Sequence, residues 1–195
     1  MPRPPEYDRT TVVEQAMDVF WEQGYGKTSI GDLVEATGLQ PGSLYAAFGN
    51  KKGVFLEVIE HYNQAFIAKI RALREEPGAA IDKIAGLLQQ ILEDQASGND
   101  RRGCLTVNAM LEMSSHDSEI GDHLCGYNQF LANAFESLIA DAQDEGDIDA
   151  RQDPGALATF LMNNIWGLRV MCKSKPGKAA MQAVVDGVMA ALRRA

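Results

Sequence analysis

Apolar residues recur along almost the whole chain at intervals of three and four, and no stretch alternates apolar with polar as a half-buried strand would. This periodicity predicts an all-α fold. Thr10 or Thr11 stands where a cap would open a first helix whose stripe is Val12, Val13, Ala16, Met17, Phe20 and Trp21, and Gly24 closes it. Ser29 opens a short second helix ended by Gly38, and Pro41 lies in the first turn of a third that reaches Phe48. Asn50 caps a long fourth helix, stopped by Glu76-Pro77-Gly78. A fifth runs through Ile81, Ile84, Leu87, Leu88 and Ile91 to a polar loop at residues 97–100, and a sixth from about Gly103 to Met113. Asp117 opens a long seventh, Asp153-Pro154 an eighth, and a last helix follows residues 174–177.

With 195 residues, a sizeable core is available without disulfides or metals as staples. No apolar run is long enough to span a bilayer. Cys104, Cys125 and Cys172 are odd in number and widely spaced, which fits reduced thiols rather than a disulfide framework or a zinc knuckle. The N-terminal Met1-Pro2-Arg3-Pro4-Pro5 has no secretory pattern, so a cytoplasmic location is expected. His123 and Cys125 are two apart on a helix and diverge, so no metal site is expected, and no cofactor either. Neither a Gly-x-Ser-x-Gly elbow nor a phosphate-cradling glycine loop occurs, which argues against an enzyme.

Two short helices joined by Thr37-Gly38-Leu39-Gln40 have the arrangement of a helix-turn-helix, with Leu33, Val34, Leu44 and Phe48 as the anchoring side. A helix that reads DNA presents small and polar groups at its N-terminus, where side chains and free N–H groups approach bases and phosphates. Gln40, Pro41, Gly42 and Ser43 supply that front, and Tyr45 places a phenol within reach of a phosphate.

The run Gly24-Tyr25, Thr28-Ser29-Ile30, Gly38-Leu39, Gly42-Ser43-Leu44-Tyr45, Phe48 and Asn50-Lys51 resembles the TetR/AcrR transcriptional regulators. The close likeness covers the first quarter of the chain; beyond it, the helical layout and Gly103-Cys104-Leu105 are similar. The resemblance implies a homodimeric, ligand-responsive repressor. Residues 1–52 would be a three-helix DNA-binding domain and 53–195 a ligand-binding and dimerisation domain. It further implies that Lys27, Thr28, Ser29 and Lys51 meet phosphates, while Gln40 to Ser43, Tyr45 and Ala46 face the groove. The expected partners are double-stranded, palindromic operator DNA, a small-molecule inducer and a second copy of the chain, with no membrane.

Inducer sites in helical domains are apolar cavities with a few convergent polar groups. The candidates are Phe66, Leu87, Asn108, Leu111, Tyr127, Phe130, Asn163 and Trp166, all uncharged, which suggests a neutral or weakly polar inducer, an aromatic one included. Cys104, at a helix N-terminus after Arg101 and Arg102, is the alternative: a thiol that senses oxidants or electrophiles. Val184, Val185, Val188, Met189 and Leu192, with Leu161, Leu168 and Met171, are the candidate dimer surface. Outside this class, a helical protein that merely binds a small molecule remains the competing reading.

The formal net charge is -9, and residues 1–55 hold five basic against seven acidic side chains. Binding to DNA is therefore expected to rest on local phosphate contacts and a matching operator, with weak non-specific affinity.

Overall fold

In the computed structural model, residues 7–97, 102–174 and 177–193 are described, the last three of the first segment by backbone alone. Residues 1–6, the loop at 98–100 and Arg101 lie outside them. The described residues form nine α-helices, no strand, and one 3-10 turn. The helices are α1 (Arg9–Gln23), α2 (Ile30–Thr37), α3 (Pro41–Phe48), α4 (Lys51–Glu75) and α5 (Ala80–Ser97). Then come α6 (Leu105–Met113), α7 (Ser118–Asp144), α8 (Pro154–Met171) and α9 (Lys178–Leu192).

The capping chemistry accounts for the boundaries. Asp8, rather than Thr10 or Thr11, opens α1: its carboxylate accepts from the Thr10 N–H at 3.1 Å and the Thr11 hydroxyl at 2.9 Å. A carboxylate reaches two donors where a threonine hydroxyl reaches one, so the aspartate takes the N-cap. Ser29 and Asp32 cap α2 reciprocally. Gly38 ends it at φ 66°, a left-handed conformation that turns the chain directly into α3. Asn50 caps α4 through the Gly53 N–H at 2.9 Å.

Two apolar clusters result. The first joins Phe20 of α1, Leu33 of α2, Leu44 of α3 and Val54, Phe55 and Val58 of α4. It also takes Leu105, Ala109 and Met113 from α6 and Ile120 and Leu124 from α7, so the N-terminal head is seated on the C-terminal body. The second unites α5, α7, α8 and α9 around Ile84, Leu88, Phe135, Leu138, Leu161 and Val185, with Ile70 from the far end of α4. α4 therefore threads both cores.

One expectation changes here. Leu161, Leu168, Val185, Val188, Met189 and Leu192, expected as dimer surface, are buried inside the subunit. Periodicity marks an apolar face but does not say whether its partner is another helix of the same chain. The residues that α8 leaves exposed include the stripe Phe160, Asn163, Gly167 and Val170, and those of α9 include Ala183, Gly187 and Ala190.

Candidate nucleic-acid interface and ligand cavity

α3 is held from behind and bare in front. Leu44 and Phe48 are buried, while Gln40, Pro41, Gly42, Ser43, Tyr45 and Ala46 are exposed. Tyr45 is 48% exposed and belongs to no ring cluster, an uncommon position for a large side chain with no outside partner. Arg9 clamps this arrangement: it is bidentate to Glu57 at 2.6 Å, donates to the Ala47 carbonyl at 3.1 Å and lies over the Phe48 ring at 4.4 Å.

Lys27 and Ser29 are exposed beside this face. Two residues expected to reach phosphates are otherwise employed. The Thr28 side chain is buried, and its hydroxyl donates to the Gly24 carbonyl at 2.7 Å. The Lys51 ammonium donates to the Tyr25 and Thr28 carbonyls at 2.9 and 3.0 Å and sits 4.3 Å from the centre of the Tyr25 ring. The physical reason is local: the α1–α2 connection carries carbonyls that no helix satisfies, and the nearest donors bind them. What α4 still offers at its N-terminus is the unpaired backbone N–H groups of its first residues.

The body holds a cavity of about 310 Å3. Its walls come from α4 (His61, Tyr62, Ala65, Phe66, Lys69), α6 and its cap (Cys104, Thr106), α7 (Tyr127, Leu131) and α8 (Ile165, Trp166, Arg169). Met17 of α1 and Asp94 of α5 complete it. Of the eight expected lining residues, Phe66, Tyr127 and Trp166 meet here. The other five do not. Leu87 is in the helix-packing core, and Phe130 packs against that core with Arg71 over its ring. Asn108 and Leu111 line a separate hollow of about 370 Å3 against α1; the Asn108 amide donates to the Arg102 carbonyl, and Leu111 is 77% exposed. Asn163 lies on the exposed stripe of α8.

Sequence reasoning also missed Lys69 and Arg169. Each follows a correctly placed aromatic by three residues, Phe66 and Trp166, and so shares its helix face. That spacing was the available signal. Cys104 faces the same cavity, as does Tyr62. Burial pushes the phenols of Tyr62 and Tyr127 well above the ordinary tyrosine range, so both stay protonated donors. Arg102, expected to activate Cys104, is instead bonded to Asp18 at 2.7 Å and stacked on Trp21. No group of three or more potential metal ligands occurs among the described residues.

Head and cavity are joined through α6. At its N-terminal end Thr106 lines the cavity and donates to the buried Asn63 of α4 at 2.5 Å. Toward its C-terminal end the Glu112 carboxylate accepts from the Tyr25 and Gly26 N–H groups at 2.9 and 2.7 Å. The intervening nine-residue helix is about 13 Å long. The Trp21 indole also donates to the Gly103 carbonyl at 3.1 Å, and Lys52 reaches Asp117 at 3.3 Å and Glu119 at 2.5 Å.

Residues 12–58 match the bacterial regulatory proteins of the tetR family, and residues 80–188 match the tetracyclin repressor-like C-terminal domain. The HTH-type transcriptional repressor ComR of Escherichia coli K12 is 31% identical over 88% of this chain and 82% of its own length. The HTH-type transcriptional regulator YezE of Bacillus subtilis 168 is 28% identical over 95% and 96%. Among solved structures, a cysteine variant of the TetR family transcriptional regulator CifR, complexed with 26-base-pair operator DNA, superposes with a TM-score of 0.86. It is 33% identical and covers 97% of this chain and 99% of that one. No helix among the described residues is long and apolar enough to cross a membrane.

Proposed function

The chain belongs to the TetR family of bacterial regulatory proteins, and from that premise we propose how its geometry does the work of a repressor. It is a DNA-binding transcriptional regulator and not an enzyme. In a homodimer built on the exposed stripes of α8 and α9, two copies of α3 enter successive major grooves of a palindromic operator. Gln40 to Ser43, Tyr45 and Ala46 approach the bases, while Lys27 and the free N–H groups opening α2 and α4 meet phosphates, and Ser29, whose hydroxyl and N–H both donate to Asp32, holds the start of α2 in place. Thr28 and Lys51 act indirectly, by fixing the loop that presents them. Residues 1–52 read DNA, and residues 53–195 sense and dimerise. The protein acts in the cytoplasm.

One observation carries the ligand response: α6 touches the cavity with Thr106 and grips the head with Glu112. A small molecule bound in the cavity favours a different seating of α6, and the two heads then no longer match the half-site spacing. Release follows from the ligand's differential affinity for the two arrangements. Selection of bound fragments from a genomic library by the full-length protein is the test. Recovery of a palindromic site whose occupancy depends on Tyr45 is expected; recovery of only random sequence would end the reading.

Cys104 supports a second reading, because its thiol lines the cavity that a ligand enters. A quinone there would form a sulfur–carbon bond, with the thiol proton ending on the quinone oxygen. Quinone-driven operator release that Cys104→Ser abolishes would support it, and unchanged release would end it.

A further inference from the structure

Arg169 gives the cavity a chemical polarity. Its guanidinium lies 5.4 Å from the centre of the Phe66 ring, and among the described residues no carboxylate lies within ion-pair distance of it. Guanidinium does not shed its proton in proteins, so Arg169 brings a fixed charge and several N–H donors to a wall that carries Tyr62, Phe66, Tyr127 and Trp166. The second cation on that wall, Lys69, is 4.0 Å from Asp94, the one carboxylate among the lining residues. The formal charges of Lys69, Arg169 and Asp94 therefore sum to one positive in a chain whose formal net charge is -9. Burial holds the Lys69 ammonium below the ordinary lysine range, with Asp94 raising it and Arg169 lowering it by less.

Tyr127 adds a donor. Its hydroxyl makes no hydrogen bond to any described residue, and it lines the same cavity as Arg169. A planar fork of N–H groups and a spare O–H donor in one cavity match a planar anion with two acceptor oxygens. The net single charge fits a monoanion better than a phosphate dianion. Phe66 and Trp166 offer flat apolar surface, and the cavity volume of about 310 Å3 is at the small end of ligand sites.

We propose that the cavity takes a small aromatic carboxylate, its carboxylate held by Arg169 and the Tyr127 hydroxyl and its ring lying between Phe66 and Trp166. This replaces the neutral inducer expected from the sequence, and it rests on the reading of the cavity as the inducer site.

The test uses the full-length protein with benzoate, phenylacetate and trans-cinnamate, each against its uncharged primary amide, in calorimetric titrations. At least one acid binds ten-fold or more tighter than its amide. Arg169→Met removes that preference and Tyr127→Phe reduces it several-fold. An amide that binds as well as its acid overturns the proposal, as does failure of all three acids to bind at millimolar concentration. Because the acid-to-amide ratio is read on the unaltered chain, the proposal stays open to refutation even if Arg169→Met does not fold. Operator release by neutral compounds with no preference for acids would overturn the anion and leave the regulator intact. Arg169-dependent acid binding with operator affinity unchanged would instead uphold the anion and overturn the inducer reading.

Discussion

The head and the cavity use polar groups in opposite ways. In the head, Arg9, Ser29, Asp32, Lys51 and the incoming Glu112 all spend their hydrogen bonds on fixing loops and helix ends, and the outward face is left with small residues, a phenol and unpaired N–H groups. In the cavity, among the described residues, Arg169 has no carboxylate partner and the Tyr127 hydroxyl has no hydrogen bond. A reader of DNA gains from a fixed shape, since a misplacement of an ångström forfeits base contacts. A sensor gains from groups that a ligand can satisfy, because only such groups bind differently in two arrangements.

The sharpest way to break this contrast is to soften the head. Phe55 is buried where its ring meets Phe20 at 5.0 Å and Tyr25 at 4.8 Å, so Phe55→Ala should cost about 4 kcal/mol. Chemical denaturation would read it, and a loss under 1 kcal/mol would show that the head is not the rigid unit described. Next in size is the joint between the two regions. Glu112→Gln exchanges charge-assisted hydrogen bonds for weaker ones, a change of about 1.5 kcal/mol. Operator affinity should fall and ligand-driven release should shrink with it; full release with normal affinity would remove Glu112 from the coupling.

A smaller effect separates two lysines. Lys27→Ala should lower the slope of log affinity against log salt by about one, the signature of a lost phosphate contact. Lys51→Met should lower stability and leave that slope unchanged, because its ammonium is bonded to Tyr25 and Thr28. Equal slopes lost in both would return Lys51 to the phosphates. The smallest effect is set by acid. Hydrogen bonds from Ser29 hold the Asp32 carboxyl below the ordinary aspartate range, and the Ile120 N–H, with Lys52, does the same for Asp117. For groups lowered on folding, the contribution is present above the unfolded value near 3.8 and is lost as pH falls through the lower folded value. Melting temperature should therefore drop below about pH 4, and less steeply in Asp32→Asn.

The same contrast explains what could be read in advance. The head is built from local signals, so the turn at Gly38, the Pro41 start and the anchors Leu44 and Phe48 were all legible within a few residues of one another. The cavity is assembled from six helices, and periodicity does not say which residues of an apolar face meet a hollow and which meet a neighbour. Phe66, Tyr127 and Trp166 line the hollow, while Leu87 and Phe130, equally plausible in sequence, join the core packing. Arg169 was passed over because a basic residue in an apolar helix reads as a solvated exception. The donors of Thr28 and Lys51 look outward in sequence but bind carbonyls of a loop whose path only the fold reveals.

Met17, a residue of the first helix, forms part of the cavity wall. A chimera that grafts another regulator's reading head onto this body would therefore carry a foreign side chain into the sensor. Its choice of small molecule would shift along with its choice of operator, unless residue 17 were restored to methionine. Engineered exchanges at residue 52 should keep that one position from the parent that supplies the body.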